Sequence, residues 1–189
     1  MLDISHIPLE HPLKIIIGAG EQSWPGWLPT HKEQLDLLDP DGWARSFGDR
    51  RVDAFLCEHV WEHLTEAQGR AAAKLCYRYL KPGGFLRVAV PDANFPNEHY
   101  QRMARGDVPP DHQAADHKIV YDHRLFVDIF AKAGFIVDLL EYCDKDGRLH
   151  YNQWDPGDGP IYRSLRSDHR NQDGKIGFAS LILDAIKPG

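Results

Sequence analysis

Leu80-Lys81-Pro82-Gly83-Gly84-Phe85-Leu86-Arg87-Val88-Ala89-Val90-Pro91 is the stretch that decides the fold. No helix continues through Pro82 with two glycines behind it. Residues 85–90 alternate and end β-branched, so a strand begins where a helix stops, and Pro91 closes it. Upstream, Thr65 caps a helix running through residue 79, because Ala67, Ala71, Leu75 and Tyr79 recur at helical spacing in an alanine-rich run. Before that helix, residues 52–57 read as a buried strand. Strand, helix, tight turn and strand make a unit whose two strands lie parallel.

Working outward, residues 14–17 form a short β-branched strand that enters Gly18-Ala19-Gly20. Residues 27–30 predict a second strand, made irregular by Pro25 and Pro29. Asp39, Pro40 and Gly48 bracket a short helix over 39–47. Residues 94–105 are read as helical, 106–117 as a polar loop and candidate lid, and 122–133 as an amphipathic helix stopped by Gly134. A strand over 135–141 follows. The Asp/Gly/Pro-rich region 143–175 carries at most a short strand at 149–154, and 178–186 alternates as a last strand. The pattern predicts an α/β fold with a mainly parallel sheet, helices on both faces and an antiparallel C-terminal edge pair. One domain, 1–189, is expected, with an N-terminal extension at 1–12 and a long loop insertion at 143–175.

A net charge of -6 argues against a broad nucleic-acid footprint, so no nucleic-acid partner is expected. The best candidate for a local basic groove, Arg163, Arg166 and Arg170, is interleaved with Asp168 and Asp173. No apolar run reaches the roughly 20 residues of a membrane span. Residues 1–12 lack a basic segment followed by an apolar one, so export is not expected. Cys57, Cys76 and Cys143 form no metal or redox pattern and suit a reducing, cytoplasmic setting.

Glycine turns after a first strand are where open α/β sheets take nucleotide-like ligands. The order from Gly18-Ala19-Gly20 through Glu58-His59 and Leu80–Gly84 to Ala133-Gly134-Phe135 resembles the class I S-adenosylmethionine-dependent methyltransferases over roughly residues 14–187. Glu58-His59-Val60-Trp61-Glu62-His63-Leu64 and Pro25-Gly26-Trp27 are similar to a bacterial subgroup of predicted methyltransferases, often associated with cell-surface polysaccharide pathways. The resemblance implies a Rossmann-like methyltransferase fold that binds S-adenosylmethionine. It places Gly18, Ala19 and Gly20 at the methionine part of the cofactor, and Glu58 and His59 beside the same cleft.

Two departures stand out. The acidic residue that ends the second strand in most members is His31 here, with Glu33 or Asp36 as substitutes. Only six residues separate Gly20 from Trp27, too few for a crossover helix, which takes a dozen or more. Asp36 and Leu37 are the expected neighbours of the adenine edge. Methyl transfer asks mainly for positioning and a base. His63 is the preferred base, with His59 the second catalytic candidate. No resident metal is expected, although His59, Glu62 and His63 can converge as ligands, with His117 or His123 supplying a fourth. The expected partner is a small-molecule or glycan acceptor. The rival readings are a catalytically silent cofactor-binding module and a nicotinamide-dependent oxidoreductase. The latter is disfavoured by the missing third glycine and ribose acid.

Overall fold

In the chain-order core, β1 (Lys14–Ile17) and β3 (Val52–Glu58) are apolar on both faces, as strands sandwiched within a structure must be. In the computed structural model, which describes residues 2–171 and 174–189, they join β2 (Leu28–Thr30) and β4 (Leu80–Pro91) in parallel register. Strands β5 (Ile136–Cys143), β6 (Leu149–Tyr151) and β7 (Ser180–Ile186) complete a seven-stranded sheet of order β2-β1-β3-β4-β7-β5-β6. Five strands, β1 to β5, run one way, while β6 and β7 oppose them. The antiparallel edge pair is β5–β6. The last strand does not lie at the edge; it inserts between β4 and β5, a neighbourhood that alternation alone does not encode.

Helix α1 (Pro40–Phe47) starts at Asp39, whose side chain accepts from Gly42 N–H. Thr65 and Gln68 close a reciprocal capping box on α2 (Glu66–Tyr79). Helix α3 (Glu98–Ala104) is shorter than its sequence reading, and α4 (His123–Ala131) is capped by Asp122. The turn 80–84 ends α2 as expected but is already part of β4, since Leu80 pairs with Val52.

Helices α1, α2 and α4 all serve one core. Trp43 and Phe47, Ala72 and Cys76, and Phe126 and Phe130 pack with Ile15, Ile17, Phe55 and Val88. On the opposite face Ile16, Leu56, Ala89 and Ile182 meet Trp27, Trp154 and Ile161. Among the described residues α1 to α4 contribute nothing to this second group, beside which the 3-10 turn Pro156–Asp158 lies, while α3 packs in a separate group with Phe95, Cys143 and Phe178. The physical reason is chain length. Only ten residues, 18–27, link β1 to its parallel neighbour β2, so the strand returns through turns and the strap around 152–168 covers the sheet instead.

Arg87, on β4 and 3% exposed, fastens the strap. Its guanidinium donates twice to Asp184 on β7, both at 2.8 Å, and to the carbonyls of Asp155 and Gly159 at 2.9 and 2.7 Å. It also lies 4.8 Å from the Trp154 ring centre. Arg87→Met leaves Asp184 unpaired and two carbonyls unsatisfied. The expected loss is about 3–5 kcal/mol in urea unfolding, much of it recovered by adding Asp184→Leu. A loss below about 1 kcal/mol would show that the clamp contributes nothing.

Candidate functional site

Open parallel sheets present ligand sites at the carboxyl ends of their strands. Here Gly18 to Gly20 follow β1, Glu58 ends β3, and Pro91 ends β4. A cavity of about 1020 Å³ opens at that edge, lined by the glycine turn, Glu58, His59, Glu62, His63 and residues of two long loops. A second cavity, of about 300 Å³, adjoins it between Ile17, Leu35, Asp36, Leu37 and Leu64. Gly18, His59 and His63 border both.

The glycine turn is stapled to β2: Ala19 N–H donates to Thr30 O at 2.8 Å, and Thr30 Oγ1 donates to Ile16 O at 2.8 Å. Gly18 has φ +64° and Gly20 φ +55°, a region that costs other residues energy. A Cβ on Gly18 would stand 2.5 Å from Val60 Cγ2.

Glu58 is buried, and its carboxylate is shared among three donors. Arg163 N–H donates to Oε1 at 2.7 Å, while Tyr162 N–H and Gln22 Nε2 donate to Oε2 at 3.0 and 2.5 Å. The residue therefore ties the strap to the glycine turn. His59 follows with φ +56°, the one non-glycine positive value among the described residues. This left-handed step folds its ring inward, where the side chain is 7% exposed. Nδ1 lies 2.9 Å from Glu62 Oε1, and Nε2 lies 3.0 Å from Ser180 Oγ. Ser180 Oγ also lies within hydrogen-bond distance of Arg163 O, at 2.9 Å. Both ring nitrogens thus have a polar partner. His59, the second catalytic candidate by sequence, links Glu62 to Ser180 on β7 through its two ring nitrogens.

Glu62 sits in the 3-10 turn Trp61–His63 and is fully buried. Burial pushes its carboxyl up, but the adjacent His59 outweighs this and holds it below the ordinary carboxylate range. Its carbonyl accepts from Lys118 N–H at 2.8 Å, and this draws residues 116–118 over the turn. His63 is 30% exposed, with Nδ1 2.7 Å from Asp116 Oδ1. His117 places Nδ1 2.9 Å from Ala104 O and packs edge-on to His63 at 4.8 Å. Burial lowers the His117 pKa, partly opposed by that carbonyl. One ligand atom each of Glu62, His63 and His117 lie within 4.8 Å of one another.

The remaining residues sort as follows. Asp36 and Leu37 wall the smaller cavity. His31, expected at the ribose, is exposed and borders neither cavity; its N–H and carbonyl are committed to a turn with Gln34 and Leu35. Trp61 is core. His123 packs on Tyr142 rather than on the histidine group. Tyr162 and Arg163 border the larger cavity, whereas Trp154 is held under Arg87 and Arg166 bonds Tyr151 Oη. Arg170 pairs with Asp168 at 2.5 Å, and Asp173 lies outside the described residues, as do Gln172 and Met1 of the two expected appendages. Cys57, Cys76 and Cys143 are free and buried, the Cys143 thiol being pushed up to about 12.

Residues 27–88 match the family model described as a methyltransferase domain. No curated protein matches the sequence. Among solved structures, a chain of the Haloferax volcanii complex between the Trm112 methyltransferase activator and a methyltransferase superposes with a TM-score of 0.54 at 14% identity, over 95% of this chain and 84% of that one. A SAM-dependent methyltransferase from Archaeoglobus fulgidus gives 0.52 at 14% identity, over 95% and 88%. The S-adenosylmethionine-dependent methyltransferase SibL, in its apo form, gives 0.54 at 11%, over 98% and 53%. The fold is therefore the Rossmann-like α/β fold of S-adenosylmethionine-dependent methyltransferases, and residues 27–88 carry that domain's sequence signature. Among the described residues no helix is long and apolar enough to cross a membrane.

Substituting Gly18 tests the turn directly. Gly18→Ala combines a left-handed alanine with the Val60 collision, and the expected loss is about 1–3 kcal/mol of unfolding free energy. Adding Val60→Ala removes the collision alone, so a partial recovery in the double variant is the diagnostic result; no loss in the single variant would contradict the geometry.

Proposed function

We propose that this chain is an S-adenosylmethionine-dependent methyltransferase whose acceptor is a small-molecule or glycan hydroxyl or amine, in keeping with the polysaccharide-associated subgroup that its Glu58–Leu64 motif resembles. The observation that carries the reading is the pair of cavities meeting at Gly18, His59 and His63. One is small and mainly apolar, with Ile17, Leu35, Leu37 and Leu64 in its wall; the other is larger and mixes polar and apolar groups.

The residues present fit the cofactor. Ile17, Leu35, Leu37 and Leu64 suit a flat purine. Asp36 has one oxygen committed to Leu38 N–H at 2.8 Å, and its second oxygen is the acceptor for a ribose hydroxyl, the task expected of His31 by position. The glycine turn, with no side chain at Gly18 or Gly20, admits the methionine part at the shared border. Glu58 keeps the strap closed over that border. When bound, S-adenosylmethionine supplies an electrophilic methyl: the bond from carbon to the acceptor heteroatom forms as the carbon–sulfur bond breaks, its electron pair staying on sulfur.

The chain's own contribution is alignment and proton removal. His63 turns Nδ1 to the Asp116 carboxylate, which fixes the ring with Nδ1 protonated and Nε2 free. Nε2 then accepts the proton that the acceptor loses, as general base. Residues 112–117 and 162–170 form the acceptor side of the wall.

Calorimetric titration with S-adenosylmethionine and S-adenosylhomocysteine should show one site for each. Asp36→Asn should weaken both about tenfold, close to 1.4 kcal/mol, while His31→Ala leaves them unchanged. A wild-type protein that binds neither, or that binds NAD in their place, would end this reading. Binding with no turnover on any acceptor would identify a silent module.

A further inference from the structure

Three side chains at the floor of the larger cavity are arranged as ligands before any ligand is considered. His63 and His117 each commit Nδ1 to a fixed acceptor, the Asp116 carboxylate and the Ala104 carbonyl. This leaves the Nε2 lone pair of both rings open. Histidines that bind metals are held in this way, with the second ring nitrogen donating to a carboxylate or a backbone carbonyl. Glu62 gives Oε1 to His59, but Oε2 is buried without any hydrogen-bond partner. A carboxylate oxygen stranded inside a protein is unfavourable unless something cationic satisfies it. Lys118 donates to Glu62 only through its backbone, and the paired arginine of this cavity, Arg170, is taken by Asp168.

We propose that Glu62, His63 and His117 form a binding site for a divalent transition-metal cation, in place of the metal-free site expected from sequence. Two imidazoles and one carboxylate are a donor set used by catalytic zinc and by other first-row ions, and one that does not favour calcium or magnesium. The ligand atoms lie within 4.8 Å of one another; tetrahedral coordination at about 2.1 Å sets them roughly 3.4 Å apart. The closure required is on the order of 1 Å, and His117 can supply it because it rides on the 106–117 loop rather than on the sheet. The open coordination positions face the cavity. Resting on the methyltransferase reading, the cation's role is to bind the acceptor oxygen and lower its pKa. His63 then passes from proton acceptor to ligand, and the proton leaves to solvent.

The test is to strip the purified protein with a chelator, remove the chelator, and titrate with Mn²⁺ followed by electron paramagnetic resonance. Co²⁺ absorption serves as an independent check of histidine ligation. One Mn²⁺ per chain is expected. Glu62→Gln and His117→Ala should each weaken uptake by about 100-fold or more, and Asp116→Asn by about 10- to 100-fold, as for a residue that orients a ligand. Because Glu62 is buried and its variant can fail to fold, His117→Ala and Asp116→Asn decide the matter, with circular dichroism and calorimetric S-adenosylhomocysteine binding confirming the folded state. Absence of Mn²⁺ and Co²⁺ uptake by the wild type, or uptake unchanged in His117→Ala, overturns the site. S-adenosylhomocysteine binding without cation uptake removes the cation site and leaves the methyltransferase reading standing. Cation uptake lost in His117→Ala, with no cofactor binding by the wild type, upholds the site and removes that reading.

Discussion

A parallel pair of strands normally requires a helix to carry the chain back, and ten residues between β1 and β2 do not provide one. Much of the molecule's individual character follows from that shortage. The sheet face that a first crossover helix would cover is left to Trp27, Trp154 and Ile161. A strap without regular structure cannot satisfy its own backbone, so the sheet must satisfy it. Arg87 does this from β4 through two carbonyls, and Glu58 from β3 through two amides. Both are charged groups in positions that a fully helical layer would leave to aliphatic residues. Their burial is balanced by multiple hydrogen bonds.

The same economy shapes the site. Glu58 closes the strap, His59 joins the 3-10 turn to β7, and Glu62 draws the 116–118 segment inward through its carbonyl. Each of these residues works in two directions, one toward the sheet and one toward the cavity. The positive φ of His59 is the local strain that makes this possible. An ordinary extended residue there would send its side chain away from Glu62.

The local signals were readable and the long-range ones were not. Asp39, Thr65 and Asp122 announce their helices because a cap acts within three residues, and the structure starts α1, α2 and α4 behind them. The pairing of Leu80 with Val52, ahead of the left-handed Gly83, has no such local marker, so the stop signal hides the beginning of β4. The alternation of 180–186 reveals a strand but not that it slots between β4 and β5. In the site, the glycine turn and the Glu58–His63 motif were visible as sequence. The meeting of His63 with His117, or of Glu58 with residues 162–163, depends on hydrogen bonds spanning 50 to 105 positions. His31 shows the converse case: its place in the pattern predicts a ribose contact, while the structure turns it outward with Gln34 and sets Asp36 in the cavity wall.

The two loops that wall the larger cavity lie outside every ladder of the sheet. Lengthening a surface loop costs folding free energy only slowly, so residues 106–117 can change in length and chemistry while the strands, caps and glycine turn stay as they are, whereas 152–171 is held to the sheet by Arg87 and Glu58. The cavity wall is accordingly divided: the glycine-turn side is constrained by backbone geometry, and the 106–117 side is free to vary. On the proposed reading, a change of acceptor asks only for a change in that loop's length and histidines, with the sheet untouched.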